Sequence, residues 1–104
     1  MAFADILKHL PAVTDLAALQ LRNAAGQLVA TIENKPGKAG ALAVYAALAA
    51  RHGDINVAAA QEGLDLFAEH TADARAHPDR HPNIDRLLEV IASGQCFSVN
   101  LIKA

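Results

Sequence analysis

The sequence predicts an α+β fold: a small antiparallel sheet, made of an N-terminal hairpin plus a C-terminal strand (about three strands), packed on a layer of three to four helices. Three observations predict it. Apolar residues follow a helical period at the N-terminus and between residues 39 and 91, and a two-residue period over 19–34 and 96–103. The composition is 53% hydrophobic but only 4% aromatic, so the core is built from Leu, Ile, Val and many helix-favouring alanines. Strands and helices are also segregated along the chain, the α+β pattern. The 104 residues fit one domain, 1–104, which buries roughly 65% of its unfolded surface.

Each element has its own signal. Phe3, Ile6, Leu7 and Leu10 share a helical face over Ala2 to Leu10, a short lid helix that Pro11 stops because it has no backbone donor. Thr14 or Asp15 is expected to cap a further turn through Ala18. From Leu19 the period becomes two, Asn23-Ala24-Ala25-Gly26 supplies a turn, and Leu28, Ala30 and Ile32 alternate again, which is a hairpin with Gly26 at positive φ. Asn34 to Lys38 is a loop. A helix follows from Ala39 to Arg51, with Leu42, Tyr45, Leu48 and Ala49 inward and Gly53 at its end. Its last turn carries Arg51 and His52, whose charge suits the helix dipole. Tyr45 is expected in the core with its hydroxyl at the rim.

Asn56 should cap one long helix from Val57 to about Ala76, with Leu64, Phe67 and Ala68 inward and Glu62, Asp65, Glu69 and Asp73 as a wet acidic ridge. Gly63 predicts a kink or a close helix crossing. His77-Pro78-Asp79-Arg80-His81-Pro82 must be a corner, since each proline drives the preceding residue out of helical geometry. Pro82 then opens a helix with Ile84, Leu87, Leu88 and Ile91 on one face, closing at Ser93-Gly94. Cys96 to Lys103 reads as a strand with Phe97, Val99 and Leu101 inward. Cys96 itself is expected to be a buried, inert thiol.

Nine Lys and Arg against eleven Asp and Glu give a net charge of −2, and no basic cluster marks a nucleic-acid or membrane-surface partner. One cysteine excludes an intramolecular disulfide and suits the cytoplasm. The first residues have neither a signal-peptide nor a transmembrane pattern.

Three strings are distinctive: NKPGKAGALAVYAAL (Asn34 to Leu48), AAQEGLDLFAEHTADARAHPDRHPNIDRLLEVI (Ala59 to Ile91) and ASGQ (Ala92 to Gln95). In these the chain resembles an uncharacterised family of bacterial proteins of about this length, grouped as a domain of unknown function. The resemblance covers almost the whole sequence. It implies a bacterial origin and one soluble domain, and supplies no activity or site residues to carry over.

Three constellations point to chemistry. On a continuous helix His70, Asp73 and His77 share a face, and His81 could return across the proline corner; imidazole and carboxylate at this spacing suit zinc or another divalent metal. No HExxH or CxxC accompanies them, so the alternative is that the histidines bond free backbone groups at helix ends. Glu69 or Asp73 with the same histidines could form an acid–base pair, or they could simply pair with Arg75 or Arg80 on the surface. Lys35, Gly37 and Lys38 precede a helix start whose free amides suit an anion, although the GxxxxGK[ST] phosphate loop is absent. No cofactor motif is present. The expectation is a non-enzymatic binding, regulatory or accessory module, with a metal or acid–base site on Glu69 to His81 as the alternative. A protein partner, or a second copy paired through a sheet edge, is expected; a monomer with Lys103 and Arg22 guarding the edges is the other reading.

Overall fold

The computed structural model covers residues 1–104 and contains α1 (Phe3–His9), β1 (Leu16–Arg22), β2 (Leu28–Glu33), α2 (Ala39–His52), α3 (Val57–Leu66), α4 (Glu69–Ala76), α5 (Pro82–Ser93) and β3 (Ser98–Lys103). The strands form one antiparallel sheet in the order β2-β1-β3, so the fold is α+β with the hairpin and the C-terminal strand joined as expected. β1 is central. Leu19 lies between Ile32 and Leu101, and Leu21 between Ala30 and Val99, which puts one apolar row on one face of the sheet.

The hairpin turn is built by Asn23, whose carboxamide oxygen accepts from the amides of Ala25 and Gln27, with Gly26 at φ 82°. No helical turn forms over Thr14 to Ala18. Leu16 already pairs with Lys103, and the Asn34 carboxamide donates to the Val13 and Leu16 carbonyls at 3.0 and 2.8 Å. Those carbonyls are satisfied without a helix, and the strand starts three residues earlier than its alternation suggests.

α2 runs across β1 and β2 on one side and packs against α3 on the other, and α3 packs in turn on α5. This double contact explains why α2 buries Val44 and Ala47 as well as the expected Leu42, Tyr45 and Leu48. One core of 17 buried residues joins the sheet to α2, α3, α4 and α5. At α5 the fully buried stripe is Ile84, Leu87 and Val90, with Ile91 only packed against its edge.

Five helices are present because the expected long helix is broken. Ala68 takes φ 52° and ψ −121°, ending α3 at Leu66 and starting α4 at Glu69. The break is stabilised locally: the Thr71 hydroxyl donates to the Leu64 carbonyl at 2.6 Å, which a continuous helix would have paired with the Ala68 amide. Gly63 is the close crossing rather than the break. A Cβ there would lie 2.6 Å from Leu87 Cδ1 and 2.9 Å from Leu48 Cδ1. The acidic residues therefore do not line one ridge; Glu62, for example, is clamped by Arg51 at 2.6 Å and His52 at 2.8 Å.

Four further expectations are corrected. Tyr45 is wholly buried, hydroxyl included, because α5 lies over it. Cys96 is exposed, outside β3, with its thiol 3.7 Å from Asp54. Its pKa is raised by partial burial and then by the Asp54 charge. Leu101 faces the helix side but stays 43% exposed, since α2 covers β1 and β2 and leaves the β3 edge open. Arg22 guards no edge, because its strand is the central one. No helix is long and apolar enough to cross a membrane.

Candidate functional site

A cleft of about 660 Å³ opens where α1, the start of α2 and the α4–α5 corner meet. Each wall follows from local sequence. α1 is seven residues long and buries none of them fully, so it is held by its ends. The Phe3 amide donates to Glu69 Oε1 at 2.8 Å, and the Phe3 ring stacks on Phe67 with centroids 5.6 Å apart. That hydrogen bond holds the Glu69 carboxyl below its ordinary pKa. Gly40 makes the approach of α1 to α2 feasible, since a Cβ there would lie 3.1 Å from the Phe3 ring.

The corner supplies the opposite wall. Pro78 and Pro82 exclude helix between α4 and α5, and Asp79, at φ 77°, reverses the chain while its amide donates to Asp85 at 2.9 Å. This folds His81 back onto α4, where its Nε2 lies 2.6 Å from Asp73 Oδ2. The imidazole contact, followed by the Arg80 and His77 charges, keeps the Asp73 carboxyl below its ordinary pKa, so it accepts and His81 donates. His70 completes a ladder of rings, edge-on to Phe3 at 5.0 Å and 5.5 Å from His81.

Arg86 also lines the cleft. Its Nη1 donates to the Asn83 carboxamide oxygen at 2.9 Å and to the Tyr45 hydroxyl at 3.2 Å, and the guanidinium carbon sits 5.7 Å from the centre of the Tyr45 ring. The Tyr45 hydroxyl in turn donates to the Asn83 carbonyl, and burial pushes its pKa up to about 12. Arg86 therefore has a fixed position and neutral hydrogen-bond partners, with no carboxylate against it. Arg80 reaches Asp73 at 3.4 Å, and Lys38, Gly37 and Gly40 bring the start of α2 to the same cleft.

The candidate residues separate accordingly. His70 and His81 both line the cleft, and Asp73 supports His81 from behind. His77 is turned outward, 3.9 Å from Asp73 and half exposed. The expected metal set His70, Asp73, His77 and His81 is not assembled: Pro78 ends the helix before His77 can share its face, and no three such side chains are placed to hold a metal ion. Of the anion loop, Gly37 and Lys38 line the cleft, whereas Lys35 turns away to pair with Glu33 at 2.9 Å.

A family model described as "Uncharacterized protein conserved in bacteria (DUF2322)" matches residues 3–101. The chain belongs to the DUF2322 family. The matched span takes in every residue of the cleft, from Phe3 to Arg86. No curated protein and no solved structure matches the chain.

Sequence reasoning places Phe3 and Phe67 on inward helix faces and Arg80 in a surface pair with Glu69 or Asp73, a pair that forms with Asp73 at 3.4 Å, and it does not name Asn83 or Arg86 as site residues. The Asn83/Arg86 pair at i, i+3 was the one signal that could have found part of this set, since such residues are neighbours on a helix surface. Nothing in the sequence places α1 beside them.

Proposed function

We propose that this chain is a cytoplasmic binding module, regulatory or accessory in role, that receives a small anion in the cleft. One observation carries the reading. In a chain of net charge −2, the residues lining this cleft include Lys38, Arg80 and Arg86, two histidines, and no aspartate or glutamate. Asp73, behind the lining, already pairs with Arg80 and His81, which leaves Lys38 and Arg86 as the cations without a carboxylate partner, able to attract an anion and hold it by charge-assisted hydrogen bonds. The first turn of α2 adds to this, because the amides of Gly40 and Ala41 have no acceptor in the fold.

Titration of inorganic phosphate, followed by amide chemical shifts, tests the reading. Shifts confined to residues 37–41 and 80–86, and abolished in Lys38→Ala/Arg86→Gln, are expected. Shifts that are absent, or that survive the double substitution, would remove it.

The 2.6 Å Asp73–His81 contact favours a second reading, in which Asp73 holds Nε2–H and leaves Nδ1 as a base for acid–base chemistry at the cleft. Turnover of any anionic ester that vanishes in folded His81→Gln would replace the binding module with this enzyme. Self-association is a separate feature of the proposal, supported by the unpaired outer edges of β2 and β3 and by the exposed Leu101. A dimer that Leu101→Lys dissociates is expected by light scattering; a monomer at every concentration would end that part.

A further inference from the structure

We infer that the ligand of this cleft is a phosphate monoester carried on a planar unsaturated ring. This deepens the anion-binding reading and rests on it. Volume gives the first argument: about 660 Å³ lies within the range of sites that enclose whole small molecules and is far more than a lone oxyanion fills. The ligand therefore has a body as well as a charge.

The cations define the charged end. Arg86 is held by Asn83 and Tyr45 through one nitrogen, so its remaining donors keep a fixed direction and lose little freedom when an anion arrives. A guanidinium and a lysine lining one cleft match the several oxygens and double charge of a phosphate monoester. A single carboxylate would leave Lys38 or Arg86 uncompensated.

The rings define the body. Phe67, Phe3, His70 and His81 follow one another at 5.6, 5.0 and 5.5 Å along the cleft. The whole sequence holds three Phe, one Tyr and no Trp, yet two of those Phe line this cleft and the Tyr supports Arg86. Leu7, Ile32 and Ile84 share the lining and would serve an aliphatic body, but they give no reason for a run of four rings. Ring edges and faces add an attraction that only another π system returns.

Calorimetry on the full chain at fixed ionic strength, with phenyl phosphate, cyclohexyl phosphate, inorganic phosphate and benzoate as probes, tests the inference. Phenyl phosphate is expected to bind about three- to tenfold more tightly than cyclohexyl phosphate, from ring contact alone. Phe3→Leu should remove that preference, read as the ratio of the phenyl and cyclohexyl phosphate affinities within the one variant. Arg86→Lys should weaken every phosphate about 10- to 100-fold. Lys38→Ala, at an exposed side chain, repeats the charge test without disturbing Tyr45.

Equal binding of phenyl and cyclohexyl phosphate overturns the ring. Benzoate binding as tightly as phenyl phosphate overturns the phosphate. In either case inorganic phosphate still binds and the anion-binding reading survives. Failure of all four probes removes both.

Discussion

Gly63 is where α3 approaches α2 and α5 most closely, and its side of the helix has room for a hydrogen only. Alanine there gains about 1 kcal/mol of helix propensity. Against this, the new methyl displaces the Leu48 and Leu87 side chains from a packed core, which costs about 1–3 kcal/mol. The second effect wins: Gly63→Ala should lower Tm by about 4–8 °C for a net loss near 1 kcal/mol. An unchanged or higher Tm in a thermal melt would show that the crossing is loose.

Tyr45 is the second decisive residue. Phenylalanine keeps its packing but removes one hydrogen bond to the half-buried Asn83 carbonyl and one acceptor from Arg86. That should cost about 1–3 kcal/mol in urea denaturation and weaken phosphate binding as well. Because the folded-state pKa is raised to about 12 from 10.0, the phenol's contribution is complete below pH 10 and is lost as pH rises through 12. Ultraviolet titration of the folded protein should show the delayed phenolate, and a midpoint at the ordinary value would contradict the burial.

At the scale of elements, α1 is the one held least firmly. Seven residues cannot sustain a helix in water alone, and α1 buries no residue fully. Its hold is the Phe3–Glu69 hydrogen bond and the ring stack on Phe67. Glu69→Ala should therefore raise hydrogen exchange in residues 3–9 and leave the sheet and α5 protected. Uniform protection across the chain after the substitution would mean that Phe3 and Leu7 hold α1 unaided. The break between α3 and α4 belongs to this scale too. It lets α4 turn to present Glu69 to Phe3 and His70 to the cleft, which one straight helix to Ala76 would not allow.

For the whole molecule, acid is the informative stress. Glu33, Glu62, Glu69 and Asp73 all have pKa values lowered in the fold: by Lys35, His52, the Phe3 amide and His81, respectively, as the first cause. A lowered folded-state pKa means that the stabilisation is complete above the ordinary values of 4.5 for Glu and 3.8 for Asp. It is lost as pH falls through the lower, folded-state values. Tm measured from pH 7 to pH 2 should be nearly flat and then fall below about pH 4.5. Asp73→Asn should make the lowest part of that fall shallower, and an identical profile would show that the His81 contact contributes nothing.

Local signals determined most of the architecture. The change of apolar period at Leu19 and at Cys96, Gly26 in the turn, Asn56 as a cap, Pro82 at a helix start and Gly53 and Gly94 at helix ends are each set by steric or hydrogen-bonding needs within a few residues. They were legible because they are local, and with the segregated order they sufficed for the α+β sheet. The misread features depend on distant partners. Leu16 to Ala18 became strand because Lys103 and Asn34 were there to pair with them, and Tyr45 vanished from the rim because α5 crosses it. The helix broke at Ala68, five residues after Gly63, because Thr71 could take the Leu64 carbonyl. The cleft divides in the same way. Gly37, Lys38, His70 and His81 were visible as residue types at telling positions, but their convergence with Phe3, Phe67 and Arg86 needed α1 to close against α4 and the proline corner to turn back. Spacing along a chain determines which side chains share a helix face; only the packing of one element on another decides which faces meet.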